Sequence, residues 1–138
     1  MYQRILIPVD FSDRSRRSLD QAVLLGHEGS SVTLLHIVEE IEHLNEAEDQ
    51  SFYHRLADLA NERMASLVSY GESLGLTIQV EIRLGKTARD ILEFARDDAS
   101  DIIVMSSRTL PDHQPWKALD SVSHAVALFA NCAVFLVR

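Results

Sequence analysis

Asp10 closes the first apolar run of this 138-residue chain, Ile5-Leu6-Ile7-Pro8-Val9, and is followed by Ser12 and Asp13. A carboxylate there has two uses. It can accept hydrogen bonds from a nucleobase, or it can hold the amides of the adjoining turn while Ser12 caps the next helix. Gly85-Lys86-Thr87 matches the end of a phosphate-binding loop. The full signature needs a glycine five positions earlier, and that position is Val80, inside an apolar run. Without the longer loop successive amides cannot wrap a phosphate, so Gly85 reads as a turn. The histidines His27, His36, His43, His54, His113 and His124 form no HExxH pair, and no G-x-S-x-G elbow places a serine on a strained turn. Metal ligands and catalytic residues are therefore not assigned. His36, inside an apolar run, reads as a hydrogen-bonded interior residue. A single cysteine, Cys132, excludes an internal disulfide and a cysteine-based zinc site, and reads as a buried, inert thiol.

The elements that must position these groups alternate along the chain. Ile5–Val9 reads as a first strand, followed by a helix in which Leu19, Ala22, Val23 and Gly26 recur at helical spacing, with Arg14, Arg16 and Arg17 mostly on the wet side. Val32–Val38 is a second strand, and Glu39–Gln50 an acidic, solvated connection. A helix is predicted from about Ser51 to Leu74, with Leu56, Leu59, Ala60, Met64, Leu67 and Val68 as its apolar stripe. Thr77–Leu84 alternates apolar and polar residues, as suits a strand at a sheet edge. Thr87 and Asp90 fit a capping box for a helix that buries Ile91, Leu92, Phe94 and Ala95. Asp101–Met105 is the fourth strand. A polar, proline-bearing loop runs from Ser106 to Leu119, a helix passes through Val122, Ala125, Val126 and Phe129, and Ala133–Val137 is the fifth strand. Strict alternation implies right-handed crossovers and one α/β domain over residues 1–138, a single three-layer sandwich with a parallel sheet covered on both faces. Ligands of such sheets sit at the carboxyl ends of the strands, here Pro8–Ser12 and Ser106–Ser123.

Composition narrows the partners. Thirteen Lys and Arg stand against 21 Asp and Glu, a formal net charge of -8. That balance argues against duplex nucleic acid and anionic membrane surfaces as partners, because both demand clustered cations. The N-terminal apolar run is too short for a signal peptide or membrane span, so a cytoplasmic location is expected.

Four stretches together resemble the universal stress protein family: Arg4–Ser12, Leu34-Leu35-His36-Ile37-Val38, Asp101–Met105, and Ser121-Val122-Ser123-His124 through Arg138. The resemblance runs over essentially the whole chain. It implies a flavodoxin-like, adenine-nucleotide-hydrolase-like fold with strand order 3-2-1-4-5, a cytoplasmic homodimer and a role in stress survival. Because the last strand lies at the sheet edge in that order, the dimer is expected to form through Ala133, Val134, Phe135, Leu136 and Val137.

Some members of that family bind ATP or AMP, through Gly-x2-Gly-x9-Gly-Ser/Thr after strand four. The matching positions here hold Ser106, Thr109 and Asp120, the middle spacing is one residue longer, and Pro111 and Pro115 stiffen the loop. The resemblance implies a vestigial adenine-nucleotide site at Asp10, Val38, Met105, Ser106, Thr109, Ser121, Val122 and Ser123. Asp120 stands where a helix N-terminus would meet phosphate oxygens, and its carboxylate can cap that helix itself. Like charges about 4 Å apart repel by roughly 1 to 4 kcal/mol, about tenfold or more in affinity; Arg108 and Lys117 partly compensate. The expectation is a non-catalytic regulatory protein without a cofactor. The alternative is a nucleotide-dependent switch that binds ATP or AMP with magnesium. Asp112 and His113 are the other loose candidates in that loop.

Overall fold

The computed structural model describes residues 1–40, 46–107 and 121–138. Nine elements alternate: β1 (Arg4–Pro8), α1 (Arg14–Leu25), β2 (Ser31–Glu39), α2 (Glu46–Ser73), β3 (Thr77–Gly85), α3 (Thr87–Asp97), β4 (Ile102–Ser106), α4 (Val122–Phe129) and β5 (Ala133–Val137). The five strands form one parallel sheet in the order β3-β2-β1-β4-β5. This is the flavodoxin-like arrangement expected above.

Side chains alternate across each strand, and the core divides accordingly. Ile5, Ile7, Val32, Leu34, Ile102 and Val104 face Leu19 and Ala22 of α1 and Met64 and Leu67 of α2. Leu6, Leu35, Ile37, Ile103 and Met105 face Ile91, Phe94 and Ala95 of α3 and Val126 of α4. Apolar residues on both sides of β1 and β4 explain their continuous apolar runs; β3 and β5, at the edges, are more exposed.

Several local expectations are corrected. α2 begins at Glu46, so the end of the acidic stretch is helical; Glu, Ala and Gln there are strong helix formers and extend the helix backwards. In that helix Leu59 lies outside the buried stripe of Ala60, Met64 and Leu67, and in α1 Val23 is exposed. Ser12 is not a cap: α1 starts at Arg14 with Asp13 at the N-cap position and no side-chain cap bond. The Ser12 amide is drawn instead to Asp10, and Phe11 takes a left-handed φ of 63° to make that turn. Lys86, not Thr87, is the N-cap of α3; Asp90 reaches back to the Lys86 amide at 2.5 Å. A Cβ on Gly85 would stand 2.0 Å from that carboxylate, which gives Gly85 a reason unrelated to phosphate. Ser121 caps α4, its hydroxyl accepting from the His124 amide at 3.1 Å, and Asp120 lies outside the described residues. Cys132 is half-buried, and that burial pushes its thiol up from the ordinary value.

Candidate functional site

The order β3-β2-β1-β4-β5 reverses direction between β1 and β4, and a crevice opens where chains diverge to opposite faces. A cleft of about 440 Å³ lies there, over the carboxyl ends of β1, β2 and β4 and against the first turns of α3 and α4. Its floor is apolar: Val9, Leu35, Ile37, Ile91, Met105 and Val122. Its rim is polar: Asp10, Arg14, Glu39, Thr87, Ser106, Ser121 and Ser123. An apolar floor with a few polar groups at its edge fits a flat, partly polar ligand.

Asp10 is the most constrained of these groups. One carboxylate oxygen accepts the Ser12 amide at 2.9 Å, and the other pairs with the Arg14 guanidinium at 3.3 Å. Burial pushes the Asp10 carboxyl up, but the Ser12 hydroxyl and amide and the Arg14 charge outweigh it and hold the group below its ordinary range. The Ser12 hydroxyl favours the anion by proximity; by hydrogen-bond geometry it has no partner among the described residues, nor has Nε of Arg14. Both uses foreseen for Asp10 are therefore open at once: one oxygen organises the turn and the other faces a cleft.

Neighbouring contacts hold the rim in place. His36 donates Nδ1–H to the Val9 carbonyl at 2.8 Å, so its role as a bonded interior residue is found, although it also borders the cleft. Its ring packs against Phe11 with centroids 4.5 Å apart, and the Arg63 guanidinium lies 5.8 Å from the Phe11 centroid. At the far rim the Thr87 hydroxyl donates to Glu39, tying the end of β2 to the start of α3.

Six of the eight residues implied by the resemblance line the cleft: Asp10, Met105, Ser106, Ser121, Val122 and Ser123. Val38 does not. Alternation along β2 turns it toward α2, where it borders two other cavities with Tyr53 and Ala57 and with Leu56 and Leu59. Thr109 lies outside the described residues, as do Arg108, Asp112, His113, Lys117 and Asp120. Arg14, Glu39 and Thr87 were not foreseen. The signal for Arg14 was its i,i+4 spacing from Asp10; for Glu39 and Thr87 it was only their place at element ends.

The Universal stress protein family matches residues 1–138. The chain belongs to the universal stress protein family. It is 27% identical over 149 residues to universal stress protein YxiE of Bacillus subtilis, covering all of both chains. The solved structure of MJ0577, from Methanocaldococcus jannaschii, superposes with a TM-score of 0.86 at 27% identity, covering 99% of this chain and 96% of that one. An Archaeoglobus fulgidus universal stress protein solved in complex with dAMP shares the fold at a TM-score of 0.75 and 23% identity, with 99% and 98% covered. Among the described residues, this universal stress protein has no helix long and apolar enough to cross a membrane and no group of three His, Cys, Asp or Glu that could hold a metal ion.

Proposed function

We propose that this chain is a non-catalytic, homodimeric universal stress protein that acts through protein partners, its cleft having kept the nucleoside end of an adenine-nucleotide site and lost the glycine-lined phosphate end. The observation that carries this reading is the contrast within one cleft. Asp10 stands at the rim of an apolar floor that includes Met105, whereas Ser106 holds a position that glycine takes in the nucleotide-binding members. Thr109 and Asp120 replace the other two glycines in the sequence. A side chain at those places keeps the backbone from approaching phosphate. Asp10, held ionised by its turn, is an acceptor for hydrogen bonds from a ligand rather than a proton donor near neutrality.

Thermal melting with magnesium and ATP tests the reading. A ligand at one hundred times its Kd would stabilise the fold by about 2.7 kcal/mol, a readily visible shift; the expected result at millimolar ATP is no clear shift. Replacing Ser106, Thr109 and Asp120 together by glycine is expected to give a partial gain. Micromolar ATP binding by the unmodified chain would overturn the reading. The second reading, an ATP- or AMP-dependent switch, draws support from the size of the cleft and from the Archaeoglobus fulgidus relative in complex with dAMP.

The dimer rests on the edge strand β5, where Ala133 is exposed and Leu136 is 41% exposed. An uncovered apolar edge of that kind is stabilised by pairing with a second copy. Val134→Lys is expected to shift sedimentation toward monomer or aggregate, and a wild-type monomer at micromolar concentration would count against the assembly.

A further inference from the structure

Among the described residues lining the cleft, Arg14 is the one that carries a full positive charge, and its contacts leave most of that charge unused. A guanidinium has five N–H donors in a planar fork. One of them reaches Asp10 at 3.3 Å, longer than the roughly 2.7–2.9 Å of a well-formed charged pair. Nε is buried and has no partner among the described residues, although only 28% of the side chain is exposed. A buried donor without a partner is rare in folded proteins and shows that the guanidinium is not fixed by a full set of bonds in this position. A second such atom, the Ser12 hydroxyl, lies two residues away in the turn held by Asp10.

We propose that Arg14 is the anion-binding residue of this cleft, taking the single phosphoryl group of a nucleoside monophosphate where the glycine-lined loop no longer does. The proposal rests on the nucleoside-end reading above and adds to it a phosphoryl anchor and a preference for one phosphate. A hydroxyl or amine of the ligand takes the outer oxygen of Asp10, the loosely held guanidinium turns away from that oxygen, and its fork meets two phosphoryl oxygens in the bidentate manner that suits Arg. Among the described residues the charge count favours a single phosphate. Asp10 and Glu39 line the cleft as carboxylates against this one guanidinium, and Glu39 is already held by the Thr87 hydroxyl. One phosphoryl group is met by Arg14. Each further phosphate adds negative charge with no second cation among the described lining residues.

Calorimetric titration of the full chain with adenosine, AMP and ATP tests this, in the wild type and in R14Q and R14K. One charge-assisted, bidentate contact corresponds to about a tenfold gain, so wild type is expected to bind AMP about tenfold more tightly than adenosine, and more tightly than ATP. In R14Q the ratio of AMP to adenosine affinity falls to about one; R14K, with the charge but not the fork, lies between. Should R14Q fail to fold by circular dichroism, the reduced ratio in R14K carries the same test. If adenosine binds but both variants keep the wild-type ratio, the role of Arg14 is overturned and the nucleoside-end reading stands. If wild type binds neither adenosine nor AMP, both fall.

Discussion

The two ends of the parallel sheet are built from the same parts and finished differently. At the amino ends of the strands, one oxygen of Asp101 accepts the amides of Gln3 and Arg4 at 2.8 and 2.9 Å, and Arg4 in turn binds the carbonyl and carboxylate of Asp98. Each group in that cluster has its partner. At the carboxyl ends, Asp10 holds a single amide, its ion pair with Arg14 is long, and the Ser12 hydroxyl and Arg14 Nε have no partner among the described residues. Both carboxylates are held below their ordinary range. A carboxylate that takes two backbone amides fastens a strand; one with a single amide and a long ion pair, beside a cleft, is left to meet something else.

The largest expected effect removes what the two ends share. Ile103 is fully buried at the centre of the sheet, beside Leu6 of β1 and Val134 of β5. Ile103→Ala leaves a cavity there and is expected to cost about 2–5 kcal/mol. Denaturant unfolding checks it, and a loss confined to one end of the sheet would contradict a single shared core. A smaller effect is expected at the cleft's far rim. Gly85→Ala puts a Cβ against the Asp90 carboxylate and turns it away from the Lys86 amide. The loss of that cap contact is expected to cost about 1 kcal/mol. Because both changes remove one contact, Gly85→Ala with Asp90→Ala should be little worse than Asp90→Ala alone. Simple addition of the two costs would show that Gly85 matters for another reason.

Much of this comparison was legible in the residues, and the rest was lost for identifiable reasons. Continuous apolar runs at Ile5–Val9 and Ile102–Met105 require cover on both faces, so the strands and their alternation with helices were readable without tertiary information. Element ends were not, because capping depends on which of several short polar side chains wins. At Ser12 the Asp10 carboxylate took the amide first. At Thr87 the hydroxyl was drawn 48 residues back to Glu39. The cleft was placed correctly by the strand-end rule, but of its charged contents Asp10 was foreseen and Arg14 and Glu39 were not. Arg14 looked like one of three solvent-facing arginines, and only the fold shows it leaning into the crevice while Arg16 and Arg17 remain exposed. Val38 was carried over from a resemblance, and strand alternation turns its side chain toward α2.

The smallest effect sharpens the contrast between the two carboxylates. For Asp101, the amides of Arg4 and Gln3 lower the pKa, and burial opposes them weakly. For Asp10, burial raises it first, and Ser12 and Arg14 bring it back below the ordinary value. A carboxylate with a depressed folded pKa contributes stability that is fully present above its unfolded value, near 3.9, and that is lost as the pH falls through the folded value. Asn keeps the shape and an accepting oxygen but removes the charge. Asp101→Asn should therefore lower Tm at neutral pH, and the gap from wild type should close as the pH is taken below about 4. Asp10→Asn should show the same sign with a smaller gap, because its favourable contacts are partly spent against burial. Melting curves at several pH values between neutrality and acid measure both. A gap that stays constant with pH would mean that hydrogen-bond geometry, not charge, fastens the strand at Asp101. A larger gap at Asp10 than at Asp101 would reverse the assignment of which end of the sheet is structural and which is kept for a ligand.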